Sequence, residues 1–188
     1  MRKVGALILA AGGSTRLGEP KQFLVFQGET LLRRIARTAH SAGCAPVVVV
    51  AGDLVEQTRT ELRDLPVRLI KNDAWRSGIG SSIKVGVTEI RETVSAILIL
   101  VCDQPFVSNE TIRNICHKSS LLVASGYADT VGTPALFDVR YFDELATLPN
   151  HAGAKLVIEA HTADVSVVPF PGGVTDIDTR ADYDALTV

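Results

Sequence analysis

The sequence predicts an α/β protein with a mostly parallel sheet held between layers of helices. Three observations predict it. Short, strongly apolar runs recur along the chain, each the length of a strand. Segments with helical spacing of apolar residues separate them. One run, Pro46–Ala51, contains four consecutive valines, as expected of a strand covered on both faces. Strands joined through helices imply right-handed crossovers, and ligands of such sheets sit beyond the carboxyl ends of the strands.

The elements follow in order. Val4–Ala10 reads as the first strand. Met1-Arg2-Lys3 before it has the look of a signal peptide's basic start, but the Gly12–Arg16 turn that follows is no clean cleavage site, so a buried strand is expected. Thr30–Ala42 reads as a helix, with Leu31, Leu32, Ile35, Ala36 and Ala39 on one face and Gly43 as its C-terminal cap. Asp53 and Glu56 have capping-box spacing and open a second helix. Val67–Ile70 is a third strand. Ile79, Ile83, Val87 and Ile90 fall on one helical face, and Ser95–Cys102 is the most apolar strand. Ser108 caps a helix running to Lys118. Leu121–Ser125 and Thr133–Phe137 read as strands around a turn at Gly126–Gly132. Helices are expected near Tyr141–Leu148 and Gly153–His161, a strand at Val165–Val168 and a last helix at Thr179–Leu186. No repeat, linker or low-complexity tract interrupts this pattern.

Composition narrows the function. The 188 residues point to one domain, 1–188, at roughly 150 residues per domain. Apolar residues make up 46% and charged residues 21%, which argues against disorder. Nineteen Lys and Arg against 21 Asp and Glu remove the basic excess of a non-specific nucleic-acid binder, so no nucleic-acid partner is expected. The cysteines, Cys44, Cys102 and Cys116, are three in number and form no C-x-x-C. A disulfide scaffold and a zinc knuckle are therefore not expected, and a reducing, cytoplasmic setting fits. No apolar run approaches the ~20 residues that span a bilayer, so no membrane role is expected.

The residues after the strands carry the chemistry. After the first strand comes Ala10-Ala11-Gly12-Gly13-Ser14-Thr15-Arg16-Leu17-Gly18-Glu19-Pro20-Lys21. Its glycines let a ligand approach the backbone, and Arg16 and Lys21 add positive charge: the parts of a polyphosphate cradle. Gly13 and Gly18 have P-loop spacing, but Glu19-Pro20 stands where Lys-Ser/Thr belongs, and G-x-G-x-x-G is absent. After the most apolar strand comes Asp103, either a magnesium ligand or a turn-forming aspartate before Pro105. After the third strand, Ser81 and Ser82 either cap the following helix or hold a ribose or base, and Trp75 is read as packing.

Five segments resemble, in order, the molybdenum cofactor nucleotidyltransferases of the MobA-like family. They are Leu7–Phe23, the N-D-A-W-R-S-G-I-G-S-S-I stretch from Asn72, Leu100–Pro105, Val131–Phe137 and Asp176–Thr179. Within the family the chain is most similar to the cytidylyltransferases. Guanylyltransferases typically open Gly-Gly-x-x-x-Arg with a later Asp-Lys, where this chain has Ala-Ala-Gly and Pro20-Lys21. Methylerythritol-phosphate cytidylyltransferases usually carry His-Asp-x-x-Arg-Pro where this chain has Val101–Pro105. The resemblance implies a Rossmann-like, three-layer nucleotide-diphosphate-sugar transferase fold. It implies Mg²⁺-dependent transfer of a nucleotidyl group to a phosphate monoester, with pyrophosphate released.

On that resemblance Ala10, Ala11, Gly12 and Gly13 hold the nucleotide, Arg16 and Lys21 its phosphates, and Gly80, Ser81 and Ser82 its sugar or base. Asp103 holds the metal. Asp178 is the candidate second carboxylate, with N-terminal helix charge as its other reading. Asn150-His151 replaces the Gly-Asp that family members often show before Gly-Ala-Arg/Lys, and this bears on the acceptor. The nucleophile is a phosphate whose second pKa lies near ~6, so no strong base is required. CTP is the expected donor and a molybdopterin-type phosphate the expected acceptor. A molybdoenzyme or its chaperone would receive the product. The alternatives are cytidylyl or guanylyl transfer to another acceptor such as a sugar phosphate, and a nucleotide-sensing or cofactor-delivery module without turnover.

Overall fold

The computed structural model describes residues 2–13 and 17–186. Its first strand, β1 (Val4–Ala10), is buried along nearly its whole length. A 3-10 turn at Lys21–Phe23 leads into a hairpin of β2 (Val25–Phe26) and β3 (Glu29–Thr30), then α1 (Leu31–Ser41). β4 (Val47–Ala51), α2 (Val55–Glu61), β5 (Val67–Lys71), α3 (Ile79–Ile90), β6 (Ala96–Val101) and α4 (Asn109–Cys116) complete the alternating half. The second half holds β7 (Leu122–Tyr127), β8 (Thr130–Asp138), α5 (Phe142–Thr147), α6 (Lys155–Ala160), β9 (Val165–Pro169) and α7 (Arg180–Leu186).

Seven strands form one sheet in the order β5-β4-β1-β6-β8-β7-β9. The pairs β1–β4, β1–β6, β4–β5 and β7–β9 are parallel; β8 runs against both β6 and β7. Strand alternation splits the core into two layers. Ala6, Ile8, Val47, Val49, Leu98 and Leu100 face α1 and α4, meeting Leu32, Ile35, Ile112 and Ile115. Leu7, Leu9, Val48, Val50, Ile97 and Ile99 face α3, α5 and α6, meeting Ile83, Val87, Phe142 and Val157. The valine run is thus buried on both sides because successive side chains point to opposite faces.

Local chemistry sets the helix ends. Thr30 accepts a hydrogen bond from the Arg33 N–H and Ser108 from the Thr111 N–H, each capping its helix. Gly43 follows α1 with φ +98°, a conformation open to glycine. Two expectations are corrected. Asp53 does not cap α2: Leu54 occupies that position without a side-chain bond, and the Asp53 carboxylate is held by Trp75 and Arg76 instead. The turn expected across Gly126–Gly132 shrinks to Ala128-Asp129, because β7 and β8 continue pairing to Tyr127 and Thr130.

Ala128 sits at φ +47° in the first central position of that two-residue turn, where glycine is preferred. A left-handed residue with a Cβ costs ~1–2 kcal/mol, and glycine's extra entropy costs ~0.5–1 kcal/mol. Ala128→Gly should therefore stabilise the protein by about 0.5–1 kcal/mol, read as a higher denaturation midpoint with unchanged slope.

Candidate active site

The carboxyl ends of β1 and β6, with the segment after β5, enclose a cavity of about 300 Å³. Ala10, Ala11, Gly12 and Gly13 line one side, and Lys21, Gln22, Cys102 and Asp103 another. Trp75, Arg76, Gly78, Ile79 and Ser82 close the third. The structure thus brings Ala10–Gly13, Lys21, Ser82 and Asp103 to one cavity. Arg16 lies outside the described residues.

At the edge of the cavity the Lys21 ammonium bonds the Asp103 carboxylate and lies 3.2 Å from Asp178 Oδ1. Burial by itself would lower the Lys21 pKa; the charge and hydrogen bond of Asp103, joined by Asp178, outweigh it and raise it. Three separate stretches are fastened to make this contact. The Ile177 N–H donates to the Asp103 carbonyl at 3.0 Å. The Ile177 side chain is fully buried with Leu17, Leu24, Phe26 and Leu31, beneath the Lys21 turn. Thr179 and Asp182 exchange a capping box at the start of α7, with Asp182 also accepting from the Asp178 N–H. Arg180 then bonds Glu19, and the Tyr183 hydroxyl donates to the Val25 carbonyl, so α7 clasps the same turn.

A divalent cation fits this donor set. Asp103 and Asp178 converge on one point where the protein already stabilises a positive charge, and both offer hard oxygens suited to Mg²⁺. Among the described residues no group of three metal-ligating side chains is gathered. The rest of a cation's shell would then come from water or from the oxygens of a bound phosphate.

Asp176 was not expected here. Asp176 is exposed at one side, yet partial desolvation pushes its carboxyl up to about 6, helped by the charge of Asp103 and opposed by a hydrogen bond from Gln104. Gln104 is itself buried, and its Oε1 has no hydrogen-bond partner. Burial, then the Asp176 charge, also raises the Tyr127 hydroxyl, which Gln104 bonds as well. The alternation Asp176-Ile177-Asp178 held the clue: burying the middle residue of an extended triplet turns its two neighbours away from the core.

The segment after β5 is built around Asn72. Its buried side chain donates to the Ser81 and Ser82 hydroxyls at 2.8 and 2.9 Å and accepts from the Ala74 N–H. Neither serine caps α3; Gly78 does so without a side-chain bond. Ser81 spends its proton on the Gly78 and Ala74 carbonyls, and only Ser82 reaches the cavity. Gly80 faces the 149–152 loop: it donates to the Asn150 carbonyl, and a Cβ there would stand 2.2 Å from the Pro149 oxygen. Asn150-His151 therefore buttresses the start of α3. Trp75 does pack, since Gly52 leaves room for its indole, yet it is also a cavity wall with the Arg76 guanidinium 4.7 Å above its ring. Cys102 lines the cavity as a thiol whose pKa burial raises and which bonds the Leu9 carbonyl, so it is no nucleophile.

The chain belongs to the family of the MobA-like NTP transferase domain, whose model matches residues 6–165. A nicotine blue oxidoreductase of Paenarthrobacter nicotinovorans is 29% identical over 94% of this chain and 92% of its own length. A probable molybdenum cofactor guanylyltransferase of Bacillus cytotoxicus is 29% identical over 61% of this chain, which spans 56% of that protein. Among solved structures, Rv0371c from Mycobacterium tuberculosis superposes with a TM-score of 0.84 at 28% identity, over 98% of this chain and 97% of that one. A further structure of Rv0371c is a complex with manganese, with a TM-score of 0.81 at 25% identity, over 98% of this chain and 97% of that one. No helix among the described residues is long and apolar enough to cross a membrane.

Two measurements test the frame of the site. Gly80→Ala should lower stability by about 1–3 kcal/mol, because overpacking against backbone outweighs the ~1 kcal/mol gain in helix propensity. Lys21→Met should lower the melting temperature at neutral pH by leaving two carboxylates facing each other. The raised Lys21 pKa means its contribution is fully present below the unfolded value of 10.5 and is lost as pH rises through the folded value. The melting temperatures of the wild type and the Lys21→Met variant should therefore converge only in strongly alkaline buffer.

Proposed function

We propose that this protein transfers CMP from CTP to a phosphate monoester of the molybdopterin type, with Mg²⁺, releasing pyrophosphate. The observation that carries the reading is the Lys21 ammonium shared by Asp103 and Asp178 at the rim of a glycine-lined cavity beyond the strand ends. Family membership and the guanylyltransferase relative support nucleotidyl transfer, and the manganese complex of Rv0371c supports a divalent cation.

The chemical difficulty is bringing a dianion toward a polyanion. In this reading the backbone of Ala10–Gly13 and the start of α3 receive the nucleotide, and Lys21 turns from its carboxylates toward the phosphates. Arg16 is proposed as a second phosphate cation, and Gly80, Ser81 and Ser82 as the floor under sugar or base, with Ser82 in contact. Asp103 and Asp178 would hold the cation, which supplies charge neutralisation at the transferring phosphate. The phosphate nucleophile is already ionised, so the protein's work is orientation and charge. CTP is favoured because the cavity is at the small end for ligand pockets, ~300–1,000 Å³. A site whose buried donors match cytosine also leaves a purine edge unpaired. A cytoplasmic molybdoenzyme or its chaperone is the proposed recipient of the product.

Pyrophosphate release measured over the four ribonucleoside triphosphates, with Mg²⁺ or Mn²⁺ and with or without molybdopterin, tests this. We expect acceptor-dependent release that is fastest with CTP. A preference for GTP moves the protein to the guanylyl branch. Binding without release supports a sensing or delivery role, and turnover of a reduced dye without release places it with the oxidoreductase relative. Asp103→Asn should nearly abolish kcat while triphosphate binding stays measurable by calorimetry. Lys21→Ala should cost about 3 kcal/mol in kcat/KM, with only partial recovery in Lys21→Arg.

A further inference from the structure

At the opposite end of the sheet from this cavity, a second cavity of about 500 Å³ lies beside the start of β1. It is lined by Arg2, Cys44, Cys116, His117 and Lys118 among others. Cys44 follows α1, and Cys116 is the last residue of α4. Both side chains line this cavity, and Cys116 packs against the buried cluster that contains Cys44, although the two are far apart in sequence. Cys44 is buried, whereas Cys116 is partly open to solvent.

We propose that Cys44 and Cys116 are a redox-active dithiol that a peroxide converts to an intramolecular disulfide, tying the end of α1 to the end of α4. Their surroundings assign the roles. Cys116 is the attacking sulfur, because it is the one partly open to solvent. The neighbouring Cys44 thiol, with the Arg2 charge, holds its pKa below the ordinary thiol value against the opposing effect of burial. Arg2 is itself fixed by the Ser120 carbonyl and Asp138. Cys44 is the resolving sulfur: it is buried, and the neighbouring Cys116 together with that burial raises its pKa and keeps it protonated until it is needed.

The electron balance is simple. The Cys116 thiolate attacks one peroxide oxygen; an S–O bond forms and the O–O bond breaks. The departing alkoxide or hydroxide takes a proton, and Cys116 is left as a sulfenic acid. The Cys44 thiol then gives up its proton and attacks that sulfur. The S–S bond forms as the S–O bond breaks, and water leaves. The two thiols lose two electrons and the peroxide gains them. A disulfide requires its sulfurs at about 2 Å, so the pair closes a short gap, and the cavity beside Cys116 leaves its side chain room to turn.

The two joined elements also carry the active-site frame. Arg113 of α4 donates to the Ser41 carbonyl of α1 beside the cysteines, and Arg34 of α1 donates to the Pro105 carbonyl, two residues past Asp103. The cross-link would fasten the far ends of the helices that hold the Lys21 turn and the Asp103 loop. Cys102 is an internal control, being buried and bonded to the Leu9 carbonyl.

The test exposes the full chain to stoichiometric hydrogen peroxide, then counts thiols and maps peptides by mass spectrometry. We expect the count to fall from three to one, a Cys44–Cys116 cross-linked peptide in monomeric protein, and full recovery with dithiothreitol. In Cys44→Ala, Cys116 should accumulate as a sulfenic acid captured by dimedone; in Cys116→Ala, Cys44 should stay reduced. Three thiols left in the wild type, over-oxidation of Cys116 without the cross-link, or a link only between chains would overturn the proposal. Since the wild-type map decides by itself, poor folding of either variant does not leave the question open.

Discussion

The site depends on one ammonium. Lys21 comes from the turn after the first strand, Asp103 from the loop after β6 and Asp178 from the segment before α7, and where they meet a positive charge stands between the carboxylates. Two bare carboxylates a few ångströms apart repel by several kcal/mol at the effective dielectric of a protein surface, ~4 kcal/mol at 4 Å. The cation turns that repulsion into a three-way junction. On the proposed reading the junction would also be exchangeable: a substrate bringing its own cation would take over the carboxylates and release the lysine to its phosphates. A stable resting state and a charge-ready active state would then use the same atoms.

The frame around that junction is hydrophobic and asymmetric. Ile177, fully buried, places Asp176 and Asp178 by pinning the residue between them. The small cluster of Leu17, Leu24, Phe26, Leu31 and Ile177 lies apart from the two layers on the faces of the sheet. The Lys21 turn thus has a core of its own, closed by α7 through Arg180–Glu19 and Tyr183–Val25. Loops built this way keep the geometry of an element while retaining the backbone access of a loop.

Much of this was legible in the residues. Alternation of strand and helix patterns gave the parallel half, and placing residues after strand ends gathered Ala10–Gly13, Lys21 and Asp103. What was not legible depended on contacts between distant segments. The reversal of β8 leaves no mark on its own apolar pattern, since a strand buried on both faces reads alike in either direction. Asp53 has capping spacing, yet Trp75 and Arg76 offer stronger partners across the cleft, and tertiary bonds prevailed over the local one. Gly80 looks like a ligand-facing glycine, but the Pro149 carbonyl fills the space a side chain would take. The thiol pair is invisible to spacing rules because the fold alone joins α1 to α4.

The positions of Gln104, Tyr127 and Asp176 bear on the acceptor. The candidate cavity is lined by Asp103 but by none of these three residues, of which Gln104 follows Asp103 in the same loop. A reaction in which one phosphate attacks another in line needs its two substrates on opposite sides of the transferring atom, with the cations between them. On the proposed reading the lysine–aspartate junction would lie on that dividing line. The buried Oε1 of Gln104 has an unmet acceptor on the second side, where a bound group carrying an N–H or O–H would relieve it. On the proposed reading, acceptor selectivity therefore resides with Gln104 and its neighbours, and donor selectivity with the cavity walls.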